Sequence, residues 1–185
     1  MLSVVKVFSK VSQDVCRLGA VLGVGVSGLL IAAPVEAMPA PVFAPVLEEI
    51  ATSPTLDRPI RLPTAVPTDD ALYPSYMQHF GIVIVRLDTT SDCDDSSCLG
   101  LNIAAVAAPA DWPPPPPGEV ALTEVDLGDC IRGYSYEEGE FGAVQWIQEG
   151  SLYALSYRQD LFSADDAIAM ATSMVSGPPV TNVAP

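Results

Sequence analysis

Apolar and polar positions change rhythm several times along the chain, and each change marks an element. Residues 144–148, VQWIQ, and 151–158, SLYALSYR, alternate bulky and polar side chains and are separated only by Glu149-Gly150. Alternation of this kind belongs to a half-buried strand, and a two-residue connection is hairpin length. Closing that turn pairs Gln148 with Ser151, which sets Trp146 opposite Tyr153 and Val144 opposite Leu155 on one face, with Tyr157 at its end. The reverse face carries Gln145 opposite Ala154 and Ile147 opposite Leu152. Upstream, IRGYSYEEGEFGAVQWIQ (131–148) divides into two short strands turned at Glu138-Gly139, and EVALTEVDL (119–127) alternates as another half-buried strand. FGIVIVRLD (80–88) is apolar on both faces, as a strand covered on both sides would be. Its hairpin partner is CLGLNIAAVAA (98–108), across the polar loop TTSDCDDSS.

The rhythm then changes to a helical one. In SADDAIAMATSMV (163–175), Ile168, Ala171, Thr172 and Val175 recur at helical spacing, which predicts one buried stripe. Ser163 is a suitable N-cap, Asp165 and Asp166 place negative charge in the first turn, and Gly177-Pro178-Pro179 stops the helix. These elements predict an α+β fold: a curved, mainly antiparallel sheet of about six strands with one C-terminal helix packed on one face. The helix needs an apolar surface, and the hairpin's aromatic face is the nearest. Val144, Trp146, Tyr153, Leu155 and Tyr157 are therefore expected to form the core with Ile168, Ala171 and Val175, rather than a ligand platform.

The N-terminal third is punctuated differently. Lys6, Lys10 and Arg17 precede an uncharged apolar run, LGAVLGVGVSGLLIAA (18–33), and Val35-Glu36-Ala37 presents small residues where a signal peptidase cuts. The run is shorter than a membrane span needs, so residues 1–37 are expected to be a cleaved signal peptide. Prolines at 39, 41, 45, 54, 59, 63 and 67 punctuate the stretch from Met38 to about Pro67, and residues 38–59 are an expected extended linker, with at most a turn or two of helix in VLEEIAT. RPIRLP (58–63) suits a short strand on a sheet edge. The folded domain is expected over 60–176 and a disordered tail over 177–185. PADWPPPPPG (109–118) reads as a stiff connector between strands.

Charge and cysteine narrow the function. Beyond residue 37 the chain holds five Arg, no Lys and 21 Asp or Glu, a net charge of −16. Nucleic acid and anionic membrane surfaces both need clustered positive charge, so neither is an expected partner. Export permits disulfides, and Cys93 and Cys98, five residues apart, are the simplest pair. Cys130 is then left over, either as a buried free thiol or paired with one of those two.

Chemistry-bearing constellations are weak. Asp92, Asp94 and Ser96 have the opening spacing of a calcium loop, but Ser97 stands where that loop needs Gly and Ile103 where it needs Glu. No metal or cofactor is expected. His79, the single histidine, lies beside a strand with no G-x-S-x-G elbow in the chain, and Zn ligation with the cysteines lacks the spacing. The carboxylate pairs Asp69-Asp70, Asp94-Asp95, Glu137-Glu138 and Asp165-Asp166 read as solvated charge in turns and caps.

The order of features resembles a group of uncharacterised exported bacterial proteins, cyanobacterial ones among them. It is also similar to the extracytoplasmic domain of unknown function found in some anti-sigma-factor and lipoprotein-sorting-like proteins. The resemblance rests on Leu62, Pro63 and Pro67 at the entry, Gly133-Tyr134, the hairpin residues Trp146, Gly150 and Tyr153, and the helix ending Ala171, Ser173 and Met174. It covers about residues 60–175 and implies a fold, with no catalytic residue to carry over. The expectation is a non-enzymatic exported module, periplasmic or extracellular, that binds or senses. Its partner would be an envelope protein or a small apolar ligand, and in the second case sheet and helix would part to carry that ligand. A secreted hydrolase is the lesser alternative.

Overall fold

The computed structural model describes residues 37–53, 58–93, 95–113 and 120–180. The expected signal segment therefore lies outside the described residues, apart from Ala37. Seven strands form one antiparallel sheet: β1 (Tyr73–His79), β2 (Ile82–Asp88), β3 (Leu99–Ala107), β4 (Thr123–Asp126), β5 (Arg132–Glu138), β6 (Phe141–Gln148) and β7 (Ser151–Arg158). Among the described residues two α-helices accompany them, α1 (Ala44–Thr52) and α2 (Ala164–Ser176). The strand order is β1-β2-β3-β7-β6-β5-β4, an open sheet with β1 and β4 at its edges. Two meanders, β1-β2-β3 and β4-β5-β6-β7, thus meet in the middle, where β3 pairs with β7. The connection from β3 to β4 has to pass three strands, a span of about 19 Å at the usual inter-strand spacing. That distance explains the long proline-rich link, of which residues 114–119 lie outside the described residues.

Two of the turns are two-residue loops with both residues in left-handed backbone. Glu149 (φ 51°) and Gly150 (φ 76°) close β6 onto β7, and Phe80 (φ 49°) and Gly81 (φ 76°) close β1 onto β2. Such turns match the twist of the strands they join. The β6–β7 register pairs Trp146 with Tyr153, Val144 with Leu155 and Gln148 with Ser151. Between β5 and β6 the closing pair is Glu138 with Phe141, so the turn is Gly139-Glu140, one residue later than the sequence pattern placed it. Phe80-Gly81, read from sequence as the start of a strand, is a turn. The strand before it, β1, carries Pro74 and polar residues that hid it. An edge strand tolerates this proline because one side of its backbone has no ladder to lose.

The inner face of the sheet carries Val83, Val85, Leu87, Leu101, Ile103, Ala105, Val144, Trp146, Tyr153, Leu155 and Tyr157, all buried. Helix α2 lies over β6 and β7 on that face, and α1 packs beside β1. The buried stripe of α2 is Ala167, Met170, Ala171, Met174 and Val175. Ile168, expected inside, is only half-buried, because the helix is rotated to turn Met170 and Met174 onto the sheet. Ser163 and Asp166 form a reciprocal capping box. The Ser163 hydroxyl and backbone N–H hold the Asp166 carboxyl below its ordinary value of 3.8. A depressed carboxyl pKa adds stability above that range and loses it as pH falls through the folded value. Ser163→Ala should cost about 1 kcal/mol at neutral pH. Asp166→Asn should flatten the acid limb of a stability–pH profile measured by urea unfolding, and an unaltered limb would show that the box is not formed.

The expectation of an extended linker over 38–59 is corrected in its described part. Residues 41–43 form a 3-10 turn leading into α1, and Phe43, Val46 and Ile50 from this stretch are buried in the core. Pro41 and Pro45 sit in first-turn positions, where a missing N–H costs nothing, so prolines that looked like breakers start the helix. RPIRLP makes no edge strand. Ile60 forms a single bridge with Val180, and both Ile60 and Leu62 are buried. That bridge also fixes the first part of the expected tail, whose residues 181–185 lie outside the described residues. Arg61, only 5% exposed, donates from its guanidinium to the carbonyls of Met174, Val175 and Gly177. It satisfies the free end of α2 and sets a positive charge at the negative pole of the helix dipole.

Candidate functional site

Two regions stand apart from the core. The first is the loop between β2 and β3, closed by a Cys93–Cys98 disulfide with Cα atoms 6.1 Å apart. Thr89 donates its N–H to the Cys98 carbonyl at 2.8 Å. Arg86 ion-pairs with Asp88 at 2.8 Å and donates to the Asp95 carbonyl at 3.1 Å, while Arg158 donates to the Ser97 carbonyl at 3.2 Å. The side chain and N–H of Ser97 hold the Asp95 carboxyl below its ordinary value. Cys93, Asp95 and Cys98 bring their polar atoms within 4.8 Å of one another, a metal-like grouping. Its two sulfurs are bonded to each other, however, and the guanidiniums of Arg86 and Arg158 oppose a cation nearby. Asp92 is exposed, and Asp94, the second member of the calcium spacing, lies outside the described residues. Cys130 is exposed in the β4–β5 turn at φ 60° and is not a free thiol, and Cys93 and Cys98 are bonded to each other, so both alternatives, a buried free cysteine and a pairing with one of those two, are corrected.

The second region is a groove on the inner face. Helix α2 covers β6 and β7 but leaves the adjoining face of β4 and β5 open, and a groove of 410 Å³ runs between them. Its sheet side is Ala121, Thr123, Val125, Ser135, Tyr136 and Glu137, and its helix side is Ala164 and Ile168. The inner positions of β5 decide this. Gly133, Ser135 and Glu137 stand opposite Trp146, Val144 and Gly142. A glycine, a serine and a glutamate cannot continue the hydrophobic layer, so the core stops at β6 and the sheet beyond it faces the groove.

Tyr157 reaches toward this floor from β7. Its ring lies across Gly142, where an added Cβ would stand 2.7 Å from Cε1 and nearer still to Cζ and the hydroxyl. Only a residue without a side chain leaves room for that crossing. The cross-strand partner of Gly142 is Glu137, so the phenol ends beside the groove's carboxylate. Burial, and then the negative charge of Glu137, push the Tyr157 hydroxyl above its ordinary value of 10.0. That hydroxyl is buried and has no hydrogen-bond partner among the described residues.

The residues singled out from sequence fall into three places. Val144, Trp146, Tyr153, Leu155, Tyr157, Ala171 and Val175 lie in the core, with Trp146 and Tyr153 stacked at a centroid distance of 5.3 Å and 12° between planes. The Tyr153 hydroxyl donates to the Pro59 carbonyl at 2.8 Å. Ile168 lines the groove instead of the core, and Cys93 and Cys98 form the distant loop. His79 ends β1, exposed, with its ring 3.9 Å from that of Phe80. Glu137, read from sequence as solvated charge, belongs to the groove. The available signal was its period-two spacing with Gly133 and Ser135 on a strand next to the aromatic one. Among the described residues no helix is long and apolar enough to cross a membrane. Comparison with models of known families, with characterised proteins and with solved structures gives no match.

Proposed function

We propose that this chain is a non-enzymatic binding module, exported to the periplasm or outside the cell, that takes a small amphiphilic ligand between the sheet and α2. The groove of 410 Å³ carries the reading. Small-molecule sites are concave, mostly apolar and supplied with a few convergent polar groups. Val125, Ala121, Ala164 and Ile168 supply the apolar wall here, and Thr123, Ser135 and Glu137 the polar groups; the Tyr136 hydroxyl instead accepts from Gln145 on the reverse face of the sheet. The floor is one continuous sheet, so the groove is largely formed before a ligand arrives. Export is inferred from the basic, then apolar, N-terminal segment and agrees with the Cys93–Cys98 disulfide, which persists in oxidising compartments.

A neutral fluorescent probe, N-phenyl-1-naphthylamine, tests the reading. Its emission should rise on titration with the protein. Ile168→Trp, which places a large ring in the groove mouth, should weaken binding about tenfold or more, while the melting temperature stays close to that of the parent. Equal binding by parent and variant would dispose of the groove as the ligand site.

A further inference from the structure

Resting on that reading, we infer that the groove's ligand is a small primary amine with a hydrocarbon body, its ammonium group held by Glu137 and its body lying between Val125 and Ile168. Among the described residues Glu137 is the one charged side chain lining the groove. No ion pair among the described residues reaches it: Arg61, Arg86, Arg132 and Arg158 pair with Glu149, Asp88, Glu124 and Asp160, and Arg58 makes no ion pair with it. An unpaired carboxylate at the end of an apolar wall favours a cation and repels an anion, and the net charge of −16 beyond residue 37 extends that preference to the approach path.

The second observation is the Tyr157 hydroxyl. It is buried, lacks a partner among the described residues, and is carried across Gly142 to the Glu137 side of the sheet. An ammonium group has three N–H donors. The Glu137 carboxylate takes one, and the oxygens of Tyr157 and Ser135, which flank it on the same face, can accept the others. A neutral alcohol offers one donor and leaves the carboxylate uncompensated. A carboxylic acid brings a second negative charge. A long lipid chain exceeds the groove, whose floor is polar at Ser135 and Glu137.

Three probes with one hydrocarbon body separate the possibilities: hexylamine, hexan-1-ol and hexanoate, titrated calorimetrically into the full chain at neutral pH and low salt. Hexylammonium should bind roughly tenfold tighter than hexanol, the gain expected of a charge-assisted hydrogen bond, and hexanoate should bind weakest. Glu137→Gln should bring the amine down to the alcohol and leave the alcohol unchanged; Glu137 is exposed, so the fold should be kept, and a melting curve checks this directly. Tyr157→Phe should lower amine affinity several-fold with little change for hexanol. Equal affinity for amine and alcohol in the parent, or an amine preference that survives Glu137→Gln, overturns the amine inference and leaves the groove standing. Binding of none of the three, or binding of all three unaltered by Ile168→Trp, removes the groove and the inference together.

Discussion

Trp146→Ala should lower the unfolding free energy by about 3–5 kcal/mol. In a domain of this size that corresponds to a fall of roughly 10 °C in melting temperature. The indole is fully buried on the inner face, stacked on Tyr153 across the β6–β7 ladder and roofed by the layer that α2 contributes. Its Nε1 has no hydrogen-bond partner among the described residues, so the loss is one of packing and cavity formation, with no broken hydrogen bond to add. The stacked pair contributes a further increment of about 1 kcal/mol beyond area. Trp146→Phe keeps most of the volume and an aromatic face, and should cost clearly less. Urea unfolding of the three proteins checks the order. An alanine variant as stable as the parent would mean the ring lies on an exposed platform, and the division between core and groove drawn here would be reversed.

The stretch that supports this prediction was also the most legible part of the sequence, for a definable reason. Turn length and side-chain alternation are independent constraints, and at Glu149-Gly150 they agree on one register. The N-terminal helix was hidden by the opposite situation. Prolines 41 and 45 dominate the local composition, and their compatibility with a helix depends on standing in its first turn, which only the burial of Phe43, Val46 and Ile50 reveals. Helix α2 was placed correctly and its face only partly. Ala167, Met170 and Met174 form as good a stripe with Ala171 and Val175 as Ile168 and Thr172 do, and the choice belongs to the tertiary fit. The groove was the least legible feature. It arises because β4 and β5 extend the sheet past the edge of α2, and the sequence of any single element does not state how far a helix reaches. Arg61 belongs to the same class: a charge in an apparent linker becomes a buried cap once residues 58–62 pass under the end of α2.

Gly142→Ala should cost about 3 kcal/mol, the upper part of the range for overpacking a close-fitted core. At most interior strand positions this substitution is neutral or favourable, since glycine weakens a strand by roughly 0.5–1 kcal/mol relative to alanine. Here the methyl would be driven into the Tyr157 ring, which is fully buried and cannot swing away without displacing its neighbours. The sign of the effect therefore depends on the residue at 157. In a Tyr157→Leu background the ring no longer crosses β6, and Gly142→Ala should become neutral or stabilising. In a Tyr157→Phe background the ring remains, and the full cost should persist. This double-mutant cycle isolates the crossing from any general intolerance of β6, because each pair of proteins differs by the same methyl group. An equal cost in all three backgrounds would place the obstruction elsewhere. The crossing of Tyr157 over Gly142 would then lose its support, and with it the argument that carries the phenol to the carboxylate of the groove.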